Sequence, residues 1–246
     1  METCPNAKAR WGEINYLRGN NNSMYSLAID TATNSGGVAL SRNAEVIGMA
    51  MLKTPLRYSD KLIYYIDFLL DQLELPKDRI DCFVVANGPG SFTGLRIGIA
   101  ITKAMAQGLG KPTIGITTLE ALAFRFRAVS KHVAPMIDAR RQQVYGGVFE
   151  CDDSGVTVLR TPTVLPPSEW LRSLPGEDCL FVGDAAQMYA QTISSIFPEA
   201  RALRTDNCIL TELCQLGYLR YLRGETIPAP QLQANYIRPS DAELSK

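Results

Sequence analysis

Two aspartates stand where apolar runs stop, in Ile29-Asp30 and Ile137-Asp138. Carboxylates at strand ends can hold Mg²⁺ through water beside a phosphate, provided a glycine-rich loop follows to cradle that phosphate. Thr31-Ala32-Thr33-Asn34-Ser35-Gly36 suits that task only in part. The competing reading is that each carboxylate caps the turn after it. Arg140-Arg141, beside Asp138, reads either as solvated surface or as an anion contact.

A second stretch runs Val84-Val85-Ala86-Asn87-Gly88-Pro89-Gly90-Ser91-Phe92-Thr93-Gly94-Leu95-Arg96-Ile97-Gly98. It reads as a buried strand, a glycine turn and the start of a helix, with Ser91 as candidate N-cap. That layout aims backbone N–H groups at an anion. The familiar phosphate fingerprints nevertheless fail, because Thr93 stands where both the P-loop and the dinucleotide pattern need glycine. Two readings stay open. The stretch contacts a phosphate or nucleotide through Asp30, Gly88, Gly90, Ser91, Thr93 and Arg96, or its glycines serve tight turning and close packing.

Other chemistry is constrained by composition. The chain has one histidine, His132, so neither HExxH nor any histidine cluster can form. A serine or cysteine triad would need that same residue, at a strand start and with no nucleophile elbow in the chain. No catalytic residue and no metal ligand is therefore assigned. Cys4, Cys82, Cys151, Cys179, Cys208 and Cys214 form no close CxxC pair and look like thiols of a reducing compartment. A formal net charge of +0 argues against a broad nonspecific phosphate-binding surface. No apolar run approaches the roughly eighteen residues of a membrane helix. Residues 1–23 are polar and lack the apolar core of a secretory signal. They are expected to be a disordered extension, or vector or misassigned-start sequence, with folded structure from Met24.

The elements that must position these residues follow from hydrophobic period. Tyr25–Ile29, Gly37–Ser41 and Val46–Leu52 read as an antiparallel meander. Tyr58–Leu73 reads as a helix with Leu62, Ile66, Leu69 and Leu73 as its core stripe. Tyr64 and Phe68 fall on its polar face, as incidental cover or as a docking spot. After the strand at Phe83 comes a helix with a row of small residues, Gly94, Gly98, Thr102 and Ala106. Glycine inside a helix costs about 1 kcal/mol, so another backbone is expected to lie close, either the chain's own or a partner's. Lys111–Ile116 and Thr118–Val129 complete a strand and a helix. The order is that of an RNase H-like lobe. The second half restarts it, with Gly146-Gly147-Val148 after Asp138 as Gly36-Gly37-Val38 follows Asp30. The expectation is an α/β protein of two lobes, residues 24–129 and 130–246 with a tail, in a small ASKHA (actin/Hsp70/sugar-kinase-like, duplicated RNase H-like) fold.

The string Gly88-Pro89-Gly90-Ser91-Phe92-Thr93-Gly94-Leu95-Arg96-Ile97-Gly98 resembles the signature of the TsaB (YeaZ) family. Asp30-Thr31-Ala32-Thr33, Gly115 to Glu120, Asp138-Ala139-Arg140-Arg141, Tyr236-Ile237-Arg238 and Asp241-Ala242-Glu243 extend the likeness. Tyr58-Ser59-Asp60 departs from the family's usual His-Ser-Glu. The resemblance implies a cytoplasmic, non-catalytic subunit needed to make threonylcarbamoyladenosine on tRNA. Its partners would be a TsaD-like transferase and a TsaE-like ATPase, with tRNA met through the complex and a homodimer when alone. No cofactor would be tightly bound, ATP and Mg²⁺ being used by the partners. The partner surface would comprise Tyr58, Tyr64, Phe68, Gly94, Gly98 and Thr102. The single histidine speaks against a metalloprotease. The alternative class is an ASKHA-type ATPase or small-molecule kinase working through Asp30 and the glycine turns.

Overall fold

The computed structural model describes residues 23–53, 58–174, 179–203 and 205–238, with backbone alone at 52 and 58–60. Residues 1–22 and 239–246 lie outside this set, and with them the expected extension and the Asp241-Ala242-Glu243 motif. The first half runs β1 (Tyr25–Asp30), β2 (Gly36–Arg42), β3 (Glu45–Leu52), α1 (Tyr58–Gln72), β4 (Cys82–Gly88), α2 (Phe92–Leu109), β5 (Thr113–Thr117) and α3 (Thr118–Phe124). The second runs β6 (His132–Asp138), β7 (Val144–Asp152), β8 (Gly155–Leu165), α4 (Pro167–Arg172), β9 (Leu180–Val182), α5 (Asp184–Met188), α6 (Ala190–Ile196), β10 (Arg201–Leu203) and α7 (Leu210–Leu222).

The first sheet has the order β3-β2-β1-β4-β5 and the second β8-β7-β6-β9-β10, the same arrangement by position in each half. In both, the first three strands pair antiparallel and the last two join parallel. Asp30 and Asp138 therefore end corresponding strands, β1 and β6. This is the two-lobed ASKHA-like architecture expected from the element order.

Strand β1 is buried along its whole length, and its two polar residues are paired inside, Ser26 with Ser41 and Asp30 with its own turn. Its side chains still alternate. Leu27 and Ile29 pack with Leu62 and Ile66 of α1 and Ile99 of α2. Ala28 faces the other way, into a cluster with Leu213 and Cys214 of α7 and Leu122 of α3. The second sheet shares that cluster through Val133, Phe149 and Val182, while its far face packs Met136 and Phe181 under α4 to α6. The two sheets thus enclose a common inner layer of α3 and α7.

The helices of this layer are exchanged. α3 closes the first half of the chain but packs mainly on β6, β7 and β8. α7 closes the second half but lies on β1, β2, β4 and β5. Gly217 permits the approach, since a Cβ there would lie 2.6 Å from Val84 Cγ2. Two ion pairs lock the layer. Arg125, just past α3, grips Glu212 of α7 through Nε to Oε1 and Nη2 to Oε2, each at 2.9 Å. Its Nη1 also donates to Thr205 Oγ1 and Asp206 O, both at 3.0 Å. Arg220 of α7 donates to Glu120 Oε1 at 2.9 Å and to Gly115 O at 2.7 Å. Glu120 also closes the capping box of α3 with Thr117.

Three elements differ from expectation. α3 stops at Phe124 rather than Val129, because residues 125–129 tighten into i→i+3 turns. β10 carries no expected pattern, being three residues long on the sheet edge. The tail is not free of structure: Ile227 pairs with Thr113 of β5, and Leu232 is buried against the α1/α2 core.

Removing one side of the mostly buried Arg125–Glu212 pair leaves an uncompensated charge. Arg125→Met is expected to lower unfolding stability by about 3 kcal/mol. Glu225→Ala, which removes exposed pairs at 3.9 and 3.8 Å, should change it by less than about 1 kcal/mol. Denaturant unfolding of both variants checks the contrast.

Candidate functional site

The carboxyl ends of β1, β4 and β6 converge on one crevice, the usual place for a site in an open α/β sheet. It encloses about 850 Å³ between the lobes. The first lobe contributes the turn after β1 and the Gly90–Arg96 segment, and the second contributes Asp138–Arg141 and Asp184. Thr118 and Asn207 lie between them, and Asn235–Arg238 of the tail complete the wall.

Asp30 does not line this crevice. It is fully buried, and its carboxylate accepts from Ala32 N at 2.8 Å and Thr33 Oγ1 at 2.7 Å. It caps its own turn. Burial pushes its pKa up to about 6, against the lowering effect of those hydrogen bonds. Asp138 also caps its turn, accepting from Arg140 N at 2.8 Å, but it stays at the cleft wall with Arg140 Nη1 at 3.7 Å. Its own N–H donates to Asp184 Oδ1 at 3.1 Å.

The turn after Asp138 has an uncommon backbone. Arg140, Arg141 and Gln142 have φ of 59°, 52° and 57°. The left-handed region costs an L-residue roughly 1–2 kcal/mol each time. Ala139 N to Gln143 O at 2.9 Å and Gln143 N to Arg140 O at 3.0 Å close the turn. From the tail, Arg238 donates to Ala139 O at 2.8 Å and also to Gln143 Oε1. The result presents Arg140 and Arg141 at the cleft.

On the opposite wall, Ser91 caps α2 as expected, accepting from Gly94 N at 3.2 Å. Gly90 and Ser91 line the cleft, whereas Gly88 and Thr93 do not. Gly88 instead packs on the tail, where a Cβ would meet Asn235 O at 2.7 Å. Arg96 lines the cleft with its guanidinium 4.0 Å over the Phe92 ring. Phe92 packs on Tyr236 at 5.1 Å, and Asn235 N donates to Asn87 O at 2.7 Å. The tail therefore touches both lobes.

The small-residue row on α2 is not an outer surface. Gly94, Gly98, Thr102 and Ala106 are all buried. A Cβ on Gly94 would sit 1.9 Å from Thr31 O, and one on Gly98 would sit 2.3 Å from Thr31 Oγ1. The Thr31 hydroxyl donates to Gly94 O at 2.7 Å. What the glycines admit is the chain's own turn after β1, so the assignment of Gly94, Gly98 and Thr102 to a partner surface is corrected. Tyr64 and Phe68 do face solvent, 65% and 45% exposed, with rings stacked at 6.4 Å. Ile63 beside them is also exposed. The Tyr58 side chain lies outside the described residues.

His132 begins β6, at the opposite end from the cleft and about 20 Å away along the strand. Among the described residues no three His, Cys, Asp or Glu side chains are grouped to hold a metal. Sequence reasoning gave Thr118, Asn207 and Asp184 no role in a site. Thr118, Tyr236 and Arg238 carried a signal only as members of the family-like stretches.

Comparison with known proteins covers most of the chain. A family model described as TsaD, tRNA N6-adenosine threonylcarbamoyltransferase, matches residues 54–240. The tRNA threonylcarbamoyladenosine biosynthesis protein TsaB of Escherichia coli K12 is 34% identical over 226 residues, 87% of this chain and 95% of that protein. The TsaB of Bacillus subtilis 168 is 29% identical over 225 residues, 89% and 96% of the two. A solved structure of YeaZ from Pseudomonas aeruginosa has a TM-score of 0.73 at 25% identity, covering 87% of this chain and 99% of that one. A tRNA N6-adenosine threonylcarbamoyltransferase of Protochlamydia amoebophila is 46% identical over 65 residues, which are only 19% of its length.

Two predictions come from this geometry. The folded state raises the pKa of Asp30 from 3.8 to about 6, so it binds the proton more tightly than the unfolded chain. The ionised carboxylate therefore subtracts stability above about pH 6, by about 3 kcal/mol, and the penalty fades as pH falls toward 4. Asp30→Asn, which keeps an acceptor for Ala32 N, is expected to abolish that slope in denaturant midpoints measured across the window. Gly98→Ala is expected to destabilise the monomer by about 1–3 kcal/mol through overpacking on Thr31. Thermal unfolding against a Gly108→Ala control, where a Cβ meets nothing within 4 Å, checks it.

Proposed function

The chain belongs to the TsaB (YeaZ) family, and on that premise we propose that it is the non-catalytic partner subunit in making threonylcarbamoyladenosine on tRNA. Support comes first from extent. The likeness to TsaB proteins spans nearly their whole length, whereas the transferase of Protochlamydia amoebophila matches over only 65 residues, although the transferase family's model matches residues 54–240. In this reading a TsaD-like transferase carries the chemistry, a TsaE-like ATPase joins it, and ATP and Mg²⁺ belong to those partners. The chain meets tRNA through the complex and pairs with a second copy of itself when alone.

The observation that carries the partner role is the outward face of α1. Ile63, Tyr64 and Phe68 form an exposed apolar step on a helix whose other face is fully committed to the core. Stacked exposed aromatics are the residue type that anchors protein interfaces. The alternative of an ATPase or small-molecule kinase has less support. Asp30, the carboxylate it needs for Mg²⁺, is enclosed in its own turn rather than turned toward the cleft.

Reconstitution with a cognate TsaD and TsaE on tRNA tests the role. Modification is expected to fail when this chain is left out and to persist nearly unchanged with His132→Ala. Phe68→Asp should weaken association with TsaD by roughly ten- to a hundredfold in sedimentation, with the fold intact. Full modification without the chain, or a more than tenfold loss with folded His132→Ala, overturns the non-catalytic role. Unchanged association of Phe68→Asp moves the contact off α1.

A further inference from the structure

The apolar step on α1 has a matching segment within this chain. Tyr64 stacks on Phe68 and meets Tyr65 edge-on at 5.5 Å, so the step is a small ordered aromatic surface facing water. Exposed apolar surface of this kind marks a place of contact. Its surroundings are acidic. Asp71, Glu74 and Asp78 follow it along the chain and are all exposed, while Lys77 is engaged by Asp67 at 2.7 Å. The complementary occupant carries aromatic and branched apolar side chains flanked by cations.

Residues 1–22, which precede the described structure, contain such a run. Trp11, Ile14, Tyr16 and Leu17 fall within seven positions, with Lys8 and Arg10 before them and Arg18 after. Three cations stand in this segment against two acids, Glu2 and Glu13.

The segment also leaves the fold on the right side. Met24 is pinned, its N–H donating to Asn43 Oδ1 at 3.0 Å and its carbonyl accepting from Asn43 N at 2.7 Å. Tyr25 N donates to Asp81 Oδ2 at 2.8 Å, and the Arg79 guanidinium lies 6.0 Å over the Tyr25 ring. Residues 77–79 form the short helical turn that follows α1, and Lys77 ties that turn back to Asp67, the neighbour of Phe68. Leu17 precedes Met24 by seven positions, a reach of at most about 25 Å. A tether this short holds the segment near α1 at an effective concentration on the order of millimolar, so a modest contact suffices to seat it.

We infer that residues 8–18 fold back onto the outward face of α1, with Trp11 on Tyr64 and Phe68 and the cations toward Asp71 and Glu74, and so keep that face covered in the lone monomer. A second copy or another partner reaches the face by displacing the segment. That the same face meets a transferase rests on the reading above, whereas the fold-back does not.

Tryptophan fluorescence of the full chain tests this, since Trp11 and Trp170 are its two tryptophans and Trp170 is buried in the core of the second lobe. The difference between each protein and its Trp11→Phe counterpart isolates the Trp11 emission without touching that core. It is read with acrylamide as quencher, at concentrations where sedimentation shows a monomer. Trp11 is expected to emit to the blue of a solvated indole and to be shielded from the quencher. Phe68→Asp and Tyr64→Ser, both at solvent-facing positions, should each shift its emission to the red and remove the shielding. Leu203→Asp, on the edge strand of the second sheet, should do neither. Circular dichroism confirms the fold of each variant. The inference is overturned if Trp11 is as accessible in the parent as in Phe68→Asp, which means a free extension. It is equally overturned if Trp11 is shielded but indifferent to both α1 substitutions, which places the segment elsewhere. No partner enters this measurement, so its failure leaves the subunit role standing, and failure of the reconstitution leaves the fold-back standing.

Discussion

The bidentate grip of Arg125 on Glu212 joins helices that come from opposite halves of the chain. Without α7 the first sheet would expose Ala28 and Val84, and without α3 the second would expose Val133 and Phe149. Each lobe is therefore finished by a helix supplied from the other half. A buried guanidinium with its carboxylate satisfied on both oxygens sets register as well as energy. Arg220 repeats the device one end further along, bonding Glu120 and the carbonyl of Gly115. The cleft walls inherit their spacing from this inner layer, since Thr118 opens α3 and Asn207 precedes α7.

The second constraint is the seat of the Thr31 turn on α2. Strand β1 ends in a buried carboxylate that shapes its own turn through Ala32 and Thr33. That turn presses into α2 at Gly94 and Gly98. The glycines thus exchange helix propensity for proximity, and proximity brings the α2 start to the mouth of the cleft. The same packing leaves Asp30 unavailable to a ligand.

Much of this was legible from pattern. β1 and β4 carry apolar residues on both faces because both faces are covered, and α1 shows its stripe because only one of its faces is. The repeated lobe order could be read from Ile-Asp followed by Gly-Gly-Val. The destination of α7 could not, because an apolar face states that a helix is buried and not against which sheet. The glycine row of α2 signalled a close approach but carried no sign of the approaching group, a turn some sixty residues earlier. β10 is too short for a period. The cleft's inner wall was legible in part. Thr118 falls in the family-like stretch Gly115 to Glu120, whereas Asn207 sits in an irregular loop before α7 that has no period to read.

The tail's bonds to both lobes have a mechanical consequence. Asn235 is tied to Asn87 on one side and Arg238 to Ala139 on the other, only three residues along. So short a tether has almost no slack, at most about 3.5 Å per residue. A hinge rotation that parted the lobes at the cleft mouth would have to break one of its ends. The molecule is thereby clamped near a single interlobe angle. Its outer helices meet any neighbour as a rigid template, and little motional entropy remains to be lost on assembly.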